Sequence, residues 1–303
     1  MINYDELQQA AGESRLLENE PMSGHISFRV GGPADYLVQA ADEKAVADVL
    51  SFCRKEQIPC YVLGNGTNVL VKDEGYRGVI LQIGQNMSDI SVRREEDGSA
   101  VICAQAGALL SAIAHRALEE GLAGMEFAAG IPGSLGGAVV MNAGAYGGEM
   151  KDILTLVRLL MPDGEIVTKT PEELRLGYRY SLVPKLSATV LSAEIRLAAG
   201  DREEIRAKMD DLAKQRRDKQ PLEYPSAGST FKRPVGHFAG KLIQDAGLRG
   251  YTVGGAQVSE KHCGFVINRG GATASDVLRL MEDVQRLVEK TSGVLLEPEV
   301  RIL

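Results

Sequence analysis

Tyr61-Val62-Leu63-Gly64-Asn65-Gly66-Thr67-Asn68-Val69-Leu70-Val71 joins two apolar runs through a turn of two glycines, two asparagines and a threonine. Residues 59–63 read as a short buried strand and 69–71 as a second, and the glycines let backbone approach something closely. Gly64-x-Gly66 opens like the dinucleotide-binding fingerprint. Val69 then stands at the third glycine position, and the following residues continue as strand rather than helix, so a Rossmann turn is excluded. Two readings stay open for the stretch alone: an ordinary hairpin, or a nest of N–H groups suited to a pyrophosphate, with Thr67 adding a hydroxyl.

A second glycine-rich window, Ala128-Ala129-Gly130-Ile131-Pro132-Gly133-Ser134-Leu135-Gly136-Gly137-Ala138-Val139-Val140-Met141-Asn142-Ala143-Gly144-Ala145-Tyr146-Gly147-Gly148, has a low-complexity linker as its plain reading and a ligand-lined loop as the favoured one. Linkers of that glycine density lack embedded Ile, Leu, Val, Met and Tyr. Gly and Ala dominate where a ligand lies on bare backbone, so a ligand-lined loop is expected, and two such segments point to a long phosphate-bearing cofactor. A third feature, Gly236-His237-Phe238-Ala239-Gly240-Lys241-Leu242, is one residue short of a P-loop and carries Leu242 where a magnesium-binding hydroxyl belongs. Lys241 therefore reads as a surface residue near a helix start.

Outward from these windows, Asp42 caps a helix in which Val46, Val49, Leu50 and Cys53 recur at helical spacing. Residues 79–81 and 101–103 are strands, 109–118 a helix, and 153–161 with 165–169 a hairpin about Pro162-Asp163-Gly164. Residues 190–197 form a strand, 201–217 a charged helix, and 220–234 a linker or active-site loop. A helix over 239–246, a strand at 265–267, an amphipathic helix over 276–290 and a closing strand over 294–303 follow. The irregular mixture favours α+β over a doubly wound sheet.

Composition narrows the function. The chain has 303 residues, 34 Lys and Arg against 41 Asp and Glu, and a net charge of −7. Both signs are interleaved, unlike a nucleic-acid footprint. Lys214, Arg216, Arg217 and Lys219 share their helix with Asp210, Asp211 and Asp218, which suits a solvated helix end as well as a ligand. Cys53, Cys60, Cys103 and Cys263 form no C-x-x-C pair, and His25, His115, His237 and His262 are few, so no metal site is expected. The start resembles no secretory signal, and the apolar window over 122–146 is broken by Glu126, Pro132 and glycines. A cytoplasmic protein with neither nucleic acid nor membrane as a partner is the expectation, and a monomer is the expected state.

Three groups of residues, in order, resemble the UDP-N-acetylenolpyruvoylglucosamine reductase family. They are Ser27-Phe28-Arg29-Val30-Gly31-Gly32-Pro33-Ala34 with 64–68; 130–133 with 142–147; and Tyr178-Arg179-Tyr180-Ser181, Gly228-Ser229-Thr230-Phe231-Lys232 and Pro298-Glu299-Val300-Arg301. The likeness runs from about residue 20 to the end and is similar to the shorter of the family's two forms, without the inserted loop that carries a capping tyrosine. It implies an FAD-binding fold of the vanillyl-alcohol-oxidase (PCMH) type in two subdomains, 1–84 and 85–200, plus a C-terminal α+β substrate-binding domain, 201–303.

The resemblance also implies the chemistry: NADPH reduces FAD, and the enzyme then delivers a hydride to the enolpyruvyl methylene of a UDP-sugar and a proton to the neighbouring carbon. Such a reaction needs a cation on the carboxylate, a proton donor and exclusion of water. Arg179 matches the family's arginine, Ser229 its proton donor and Glu299 its acidic member; Glu297, two residues away, is the residue with which Glu299 is most easily confused. Leu63, Gly64, Asn65, Gly66, Thr67, Asn68 and Val69 match the pyrophosphate cradle. Gly130, Gly133, Ser134, Gly137, Ala138, Gly144 and Arg216 fall against the cofactor. Tyr178, Lys219, Arg233 and His262 fall at substrate positions. The cradle holds neither His nor Cys, so the flavin is expected to be non-covalent. Two rivals are weighed beside this reading: a flavin oxidase of the same fold, and a nucleotide-sugar binding protein without catalysis.

Overall fold

The computed structural model describes residues 2–303. Two compact units emerge, and the chain passes between them repeatedly. The first comprises the described residues through Glu18, then Tyr36–Asn65 and Gly78–Gln215; the second comprises Asn19–Asp35, Gly66–Arg77 and Arg216–Leu303.

The first unit is built on an antiparallel sheet in the order Ile166–Lys169, Leu154–Leu160, Thr189–Ala199, Ala100–Gln105, Ile90–Arg94. Its turn chemistry is local. Gly164 takes φ +91, Asp163 accepts from the Glu165 N–H at 3.0 Å, and Leu160 pairs with Ile166, so the expected hairpin forms about Pro162-Asp163-Gly164. Leu110, Ile113, Ala114 and Ala117 put one face of helix Leu110–Glu119 into the core. Helix Glu43–Lys55 starts where expected: the Asp42 carboxylate accepts from the Ala45 N–H at 2.7 Å. Strand Cys60–Leu63 lies parallel to the strand Tyr76–Gln82, with Cys60 opposite Val79 and Leu63 opposite Gln82.

The second unit carries a smaller antiparallel sheet, Ser226–Ser229, Phe265–Asn268, Ala256–Val258, Thr252–Val253, packed against helix Ala274–Ser292. That helix has both boundaries written into it. Thr273 and Asp276 form a capping box, and Gly293 at φ +71 returns its N–H to the Glu289 carbonyl at 2.8 Å.

Three expectations change. The turn at 64–68 is no hairpin, because each flanking strand takes another partner: Cys60–Leu63 pairs with the strand Tyr76–Gln82, and Val69–Leu70 pairs in parallel with Arg301–Ile302. The closing strand over 294–303 shrinks to Arg301–Ile302, since only that segment finds a ladder partner. The loop expected over 128–148 is interrupted after Ser134, where Leu135–Met141 is helix, with Leu135, Ala138 and Val139 buried. Gly136 packs closely there, since a Cβ would stand a tight 3.1 Å from the Ala106 Cβ.

Candidate active site

In the first unit, the cradle residues Gly64 and Asn65 meet the glycine-rich window. The Asn65 side-chain amide donates to the Pro132 carbonyl at 2.6 Å, and a Cβ on Gly64 would lie 2.5 Å from the Ser134 hydroxyl. Ser134 is 3% exposed, and its hydroxyl oxygen has no hydrogen-bond partner. A buried hydroxyl left unpaired costs about 1–3 kcal/mol, so a ligand oxygen is the natural occupant of its valence. Ser134 opens helix Leu135–Met141, and the Leu135 and Gly136 N–H groups go to the Ala108 and Ala106 carbonyls, both at 2.8 Å. Gly64, Asn65, Ala108 and Ser134 line a cavity of about 540 Å³. Leu63, 2% exposed, anchors the cradle's entry by accepting from the Ile83 N–H at 2.8 Å. Ala138 is buried in the helix, whereas Gly137 faces open space and Gly130 is exposed. The Gly133 carbonyl accepts from the Leu110 N–H at 3.0 Å.

Arg179 sits on a four-residue turn closed at both ends: Gly177 N–H to the Tyr180 carbonyl at 3.0 Å, and Tyr180 N–H to the Gly177 carbonyl at 3.1 Å. Its φ of +52 is left-handed, at a cost of about 1–2 kcal/mol for a side chain with a Cβ. The surroundings hold it there. Asn142, fully buried, donates to the Gly177 carbonyl at 3.0 Å and to Glu149 at 2.9 Å, and the Ser181 hydroxyl donates to the Val140 carbonyl at 2.8 Å. The guanidinium donates to the Gly144 carbonyl at 3.3 Å and lies 5.2 Å from the centre of the Tyr178 ring, which is 48% exposed. Lys151, Asn142 and then Arg179 hold the Glu149 carboxyl below its ordinary range, despite some burial. Asn142 is thus a positioning residue that motif matching did not assign; an asparagine at φ +42 inside the glycine-rich window was its signal.

In the second unit, Ser229 closes a strand that is irregular between Ser226 and Ser229, where Gly228 takes φ +75. Such a bulge re-aims a side chain. Thr230 is fully buried, its hydroxyl accepting from the Val266 N–H at 2.9 Å, while Ser229 is exposed. Glu299 joins the same corner: its N–H donates to the Thr230 carbonyl at 2.8 Å, and its carbonyl accepts from the Asn68 amide at 3.1 Å. The Arg301 N–H closes on the Asn68 carbonyl at 3.0 Å, and Val69 pairs with Arg301. Asn68, Val69, Ser229 and Glu299, far apart in sequence, therefore gather in one place. Glu297 is occupied differently, since Lys232 holds its carboxylate at a 70% exposed position.

Gly66, φ +63, would drive a Cβ to 2.1 Å from the His25 carbonyl oxygen, and its own carbonyl accepts from the Ser27 N–H at 3.0 Å. Thr67 is half-buried beside it. The Arg233 guanidinium stacks 4.5 Å from the Phe238 ring centre. Lys219 is exposed and Arg216 half-buried in the last turn of helix Arg202–Lys219. His262 has its Nδ1 accepting from the Gly264 N–H at 3.1 Å and meets Phe265 edge-on at 5.0 Å. Burial pushes its imidazolium pKa down from the ordinary value. Lys241 is exposed near the start of helix Ala239–Asp245, as expected.

Comparison with known proteins places this arrangement. Residues 34–170 match the family model described as FAD binding domain, and residues 220–303 the one described as UDP-N-acetylenolpyruvoylglucosamine reductase, C-terminal domain. The reductase of Agathobacter rectalis is 54% identical over 95% of this chain and 94% of its own. The chain belongs to the UDP-N-acetylenolpyruvoylglucosamine reductase family. The reductase of Lachnoclostridium phytofermentans is 52% identical over 100% of this chain and 97% of its own. The crystal structure of the reductase from Thermus caldophilus superposes with a TM-score of 0.79 at 34% identity, covering 96% of this chain and 98% of that one. The chain is accordingly an FAD-dependent oxidoreductase, and the expected α+β class with its flavin-binding fold and reductase C-terminal domain holds. FAD fits the residues present, because the buried Ser134 hydroxyl has no hydrogen-bond partner and borders the same cavity as Gly64 and Asn65. Among the described residues, no cluster suited to a metal occurs and no helix is long and apolar enough to cross a membrane.

Proposed function

We propose that the chain uses NADPH to reduce UDP-N-acetylenolpyruvoylglucosamine to UDP-N-acetylmuramate, for peptidoglycan precursor synthesis in the cytoplasm, as a monomer. The observation that carries this reading is the bulge that turns Ser229 out of its sheet, one residue from the backbone bond that ties Thr230 to Glu299. Bound FAD supplies a single group that accepts a hydride from the nicotinamide and passes it to the sugar nucleotide.

This chain's residues do the rest. Gly64, Asn65 and Ser134 hold the pyrophosphate by backbone and hydroxyl, joined by Gly66, Thr67, Asn68 and Val69. Gly130, Gly133, Gly137, Ala138 and Gly144 offer a surface without bulky side chains, and Arg216 a cation. Arg179 presents a permanently charged, planar fork to the substrate carboxylate, where negative charge grows as hydride arrives. Ser229 gives its hydroxyl proton to the carbon next to that carboxylate. A hydroxyl is a weak acid, so the step relies on a strongly basic enolate, and Glu299 works with Arg179 to keep that enolate placed. Lys219 and Arg233 suit a diphosphate, and Tyr178 and His262 the remainder of the UDP-sugar.

Because one hydride-accepting position serves NADPH and sugar in turn, the kinetics are ping-pong. Anaerobic stopped-flow tests the reading directly: NADPH bleaches the yellow protein, and the enolpyruvyl sugar nucleotide restores its colour. Colour that returns only with oxygen makes the chain an oxidase instead.

A further inference from the structure

Three donors of different kinds converge on one carboxylate in the first unit. Glu149 accepts from the Asn142 side-chain amide at 2.9 Å, from the Lys151 ammonium at 2.8 Å and, in a capping box, from the Asp152 N–H. The box accounts for one of the three. The bond to Asn142 serves another purpose, because Asn142 is fully buried and its whole amide is engaged: Oδ1 accepts from the Lys151 N–H at 2.9 Å, and Nδ2 donates both to Glu149 and to the Gly177 carbonyl at 3.0 Å. An amide can be reversed end for end at little cost in shape. Glu149 forbids the reversal here. Lys151, then Asn142, keep its carboxyl below the ordinary range, so at neutral pH it can only accept, and it holds the Nδ2 end of Asn142 toward itself and Gly177.

Both ends of Arg179 depend on this carboxylate. The Gly177 carbonyl that Asn142 holds belongs to the turn closed by Gly177 and Tyr180, on which Arg179 takes its left-handed φ of +52. The guanidinium rests on the Gly144 carbonyl at 3.3 Å, and Gly144 is the residue paired with Glu149 across the short ribbon of Gly144–Ala145 and Gly148–Glu149. The two pack so closely that a Cβ on Gly144 would lie 2.8 Å from the Glu149 Cγ. One residue thus fixes the turn from which Arg179 projects and the carbonyl on which its head rests. A guanidinium reads a carboxylate through a planar fork, so tilting that plane costs recognition of the acid and spares the rest of the ligand. We infer that Glu149 is a positioning residue for Arg179, acting through the Asn142 amide on the arginine's backbone and through Gly144 on its guanidinium, and that it serves the carboxylate of the sugar nucleotide. The inference rests on the reductase reading.

Glu149→Gln keeps the shape but supplies one oxygen and two N–H groups where three donors converge, whereas Glu149→Asp keeps both oxygens on a shorter stem. In anaerobic stopped-flow with purified holoprotein, Glu149→Gln is expected to slow recolouring by the enolpyruvyl sugar nucleotide by about tenfold to a hundredfold, with bleaching by NADPH within about twofold of the unaltered protein. Glu149→Asp recovers part of the loss. Calorimetric titration of the oxidised holoprotein separates positioning from a merely structural role. UDP-N-acetylmuramate, which carries the carboxylate, binds Glu149→Gln about tenfold more weakly, and UDP-N-acetylglucosamine, which lacks it, binds within about twofold of the unaltered protein. Where Glu149→Gln fails to fold, the same pair of ligands on Glu149→Asp decides. Equal weakening of both ligands, equal slowing of both half-reactions or an unchanged recolouring rate overturns the inference alone. An unaltered protein that the sugar nucleotide does not recolour overturns the reductase reading and this inference with it.

Discussion

The two units handle charge in opposite ways. The first lines its cavity with amides, glycines, two serines and small or apolar side chains and leaves it free of ionisable groups. The second carries cations at its surface: Lys232 on Glu297, Arg233 over Phe238, and Lys261 on the Arg217 carbonyl at 2.6 Å. A resident cofactor can be held by backbone and hydroxyl groups fixed during folding. A substrate that enters and leaves with its charge at every turnover is drawn by mobile cations that remain partly hydrated. The contrast separates retention at the Ser134 cavity from reaction at Ser229, and a substitution at either place is expected to disturb one and spare the other.

Ser229→Ala gives the largest effect. Removing a positioned proton donor costs about 10²–10³-fold in the step it serves. Recolouring by the sugar nucleotide slows by that factor, while bleaching by NADPH and flavin content stay as they were. Equal slowing of both half-reactions would break the separation. Ser134→Ala is the counterpart in the first unit. Its hydroxyl has no protein partner, so the flavin-free chain loses no hydrogen bond, and its thermal midpoint holds or rises. FAD affinity falls by about tenfold, the worth of one good hydrogen bond to a charged group, with kcat restored at saturating FAD.

How much of this was legible before the structure depends on how local each signal is. Helix Ala274–Ser292 announces itself by an apolar stripe, a capping box and a terminal glycine, all within its own residues. The hairpin about Pro162-Asp163-Gly164 needs only its turn. Helix Leu135–Met141 was hidden, because Gly136 answers to Ala106, which lies about thirty residues earlier in the chain, and glycine spoils helical propensity. Residues 294–303 read as a strand by composition, yet only the part opposite Val69–Leu70 pairs, and no local pattern specifies that partner. At the site, 64–68 could be singled out from its glycines, whereas Arg179, Ser229 and Glu299 were reached through family resemblance. The bulge at Gly228 depends on register with Phe265, and Glu149 was passed over, because its grip on Asn142 exists only once the ribbon between them has closed.

A smaller effect probes the support beneath Ser229. Thr273→Ala removes one arm of the capping box and costs about 1 kcal/mol in urea unfolding at neutral pH. The box also sets an acid response. The Thr273 N–H holds the Asp276 carboxyl below its usual value of 3.8, with the Gly255 N–H adding to it against slight burial. A depressed carboxyl contributes stability above its unfolded value, and that contribution is lost as pH falls through the folded one. The stability gap between the unaltered protein and Asp276→Asn therefore narrows below about pH 4, and a gap that persists there would assign the effect to packing.

The smallest effect sits at His262, where the two treatments of charge meet in one residue: a substrate-side group in the ionic unit that is itself neutral. Burial lowers its pKa from the usual 6.5, so the ring is uncharged at neutral pH. With Nδ1 accepting from the Gly264 N–H, the proton resides on Nε2, and in the proposed substrate role the ring would act as a hydrogen-bond donor rather than as a cation. As pH drops below 6.5 the unfolded chain takes up a proton before the folded one does, so stability declines through that window and levels off under the folded value. His262→Gln, which keeps a donor and cannot charge, flattens that decline and leaves the sugar KM within about twofold from neutral to mildly alkaline pH. A KM for the unaltered protein that rises as pH climbs through 6.5 would mean that His262 binds as an imidazolium, and the ring would then belong with Lys219 and Arg233 among the cations that draw the diphosphate.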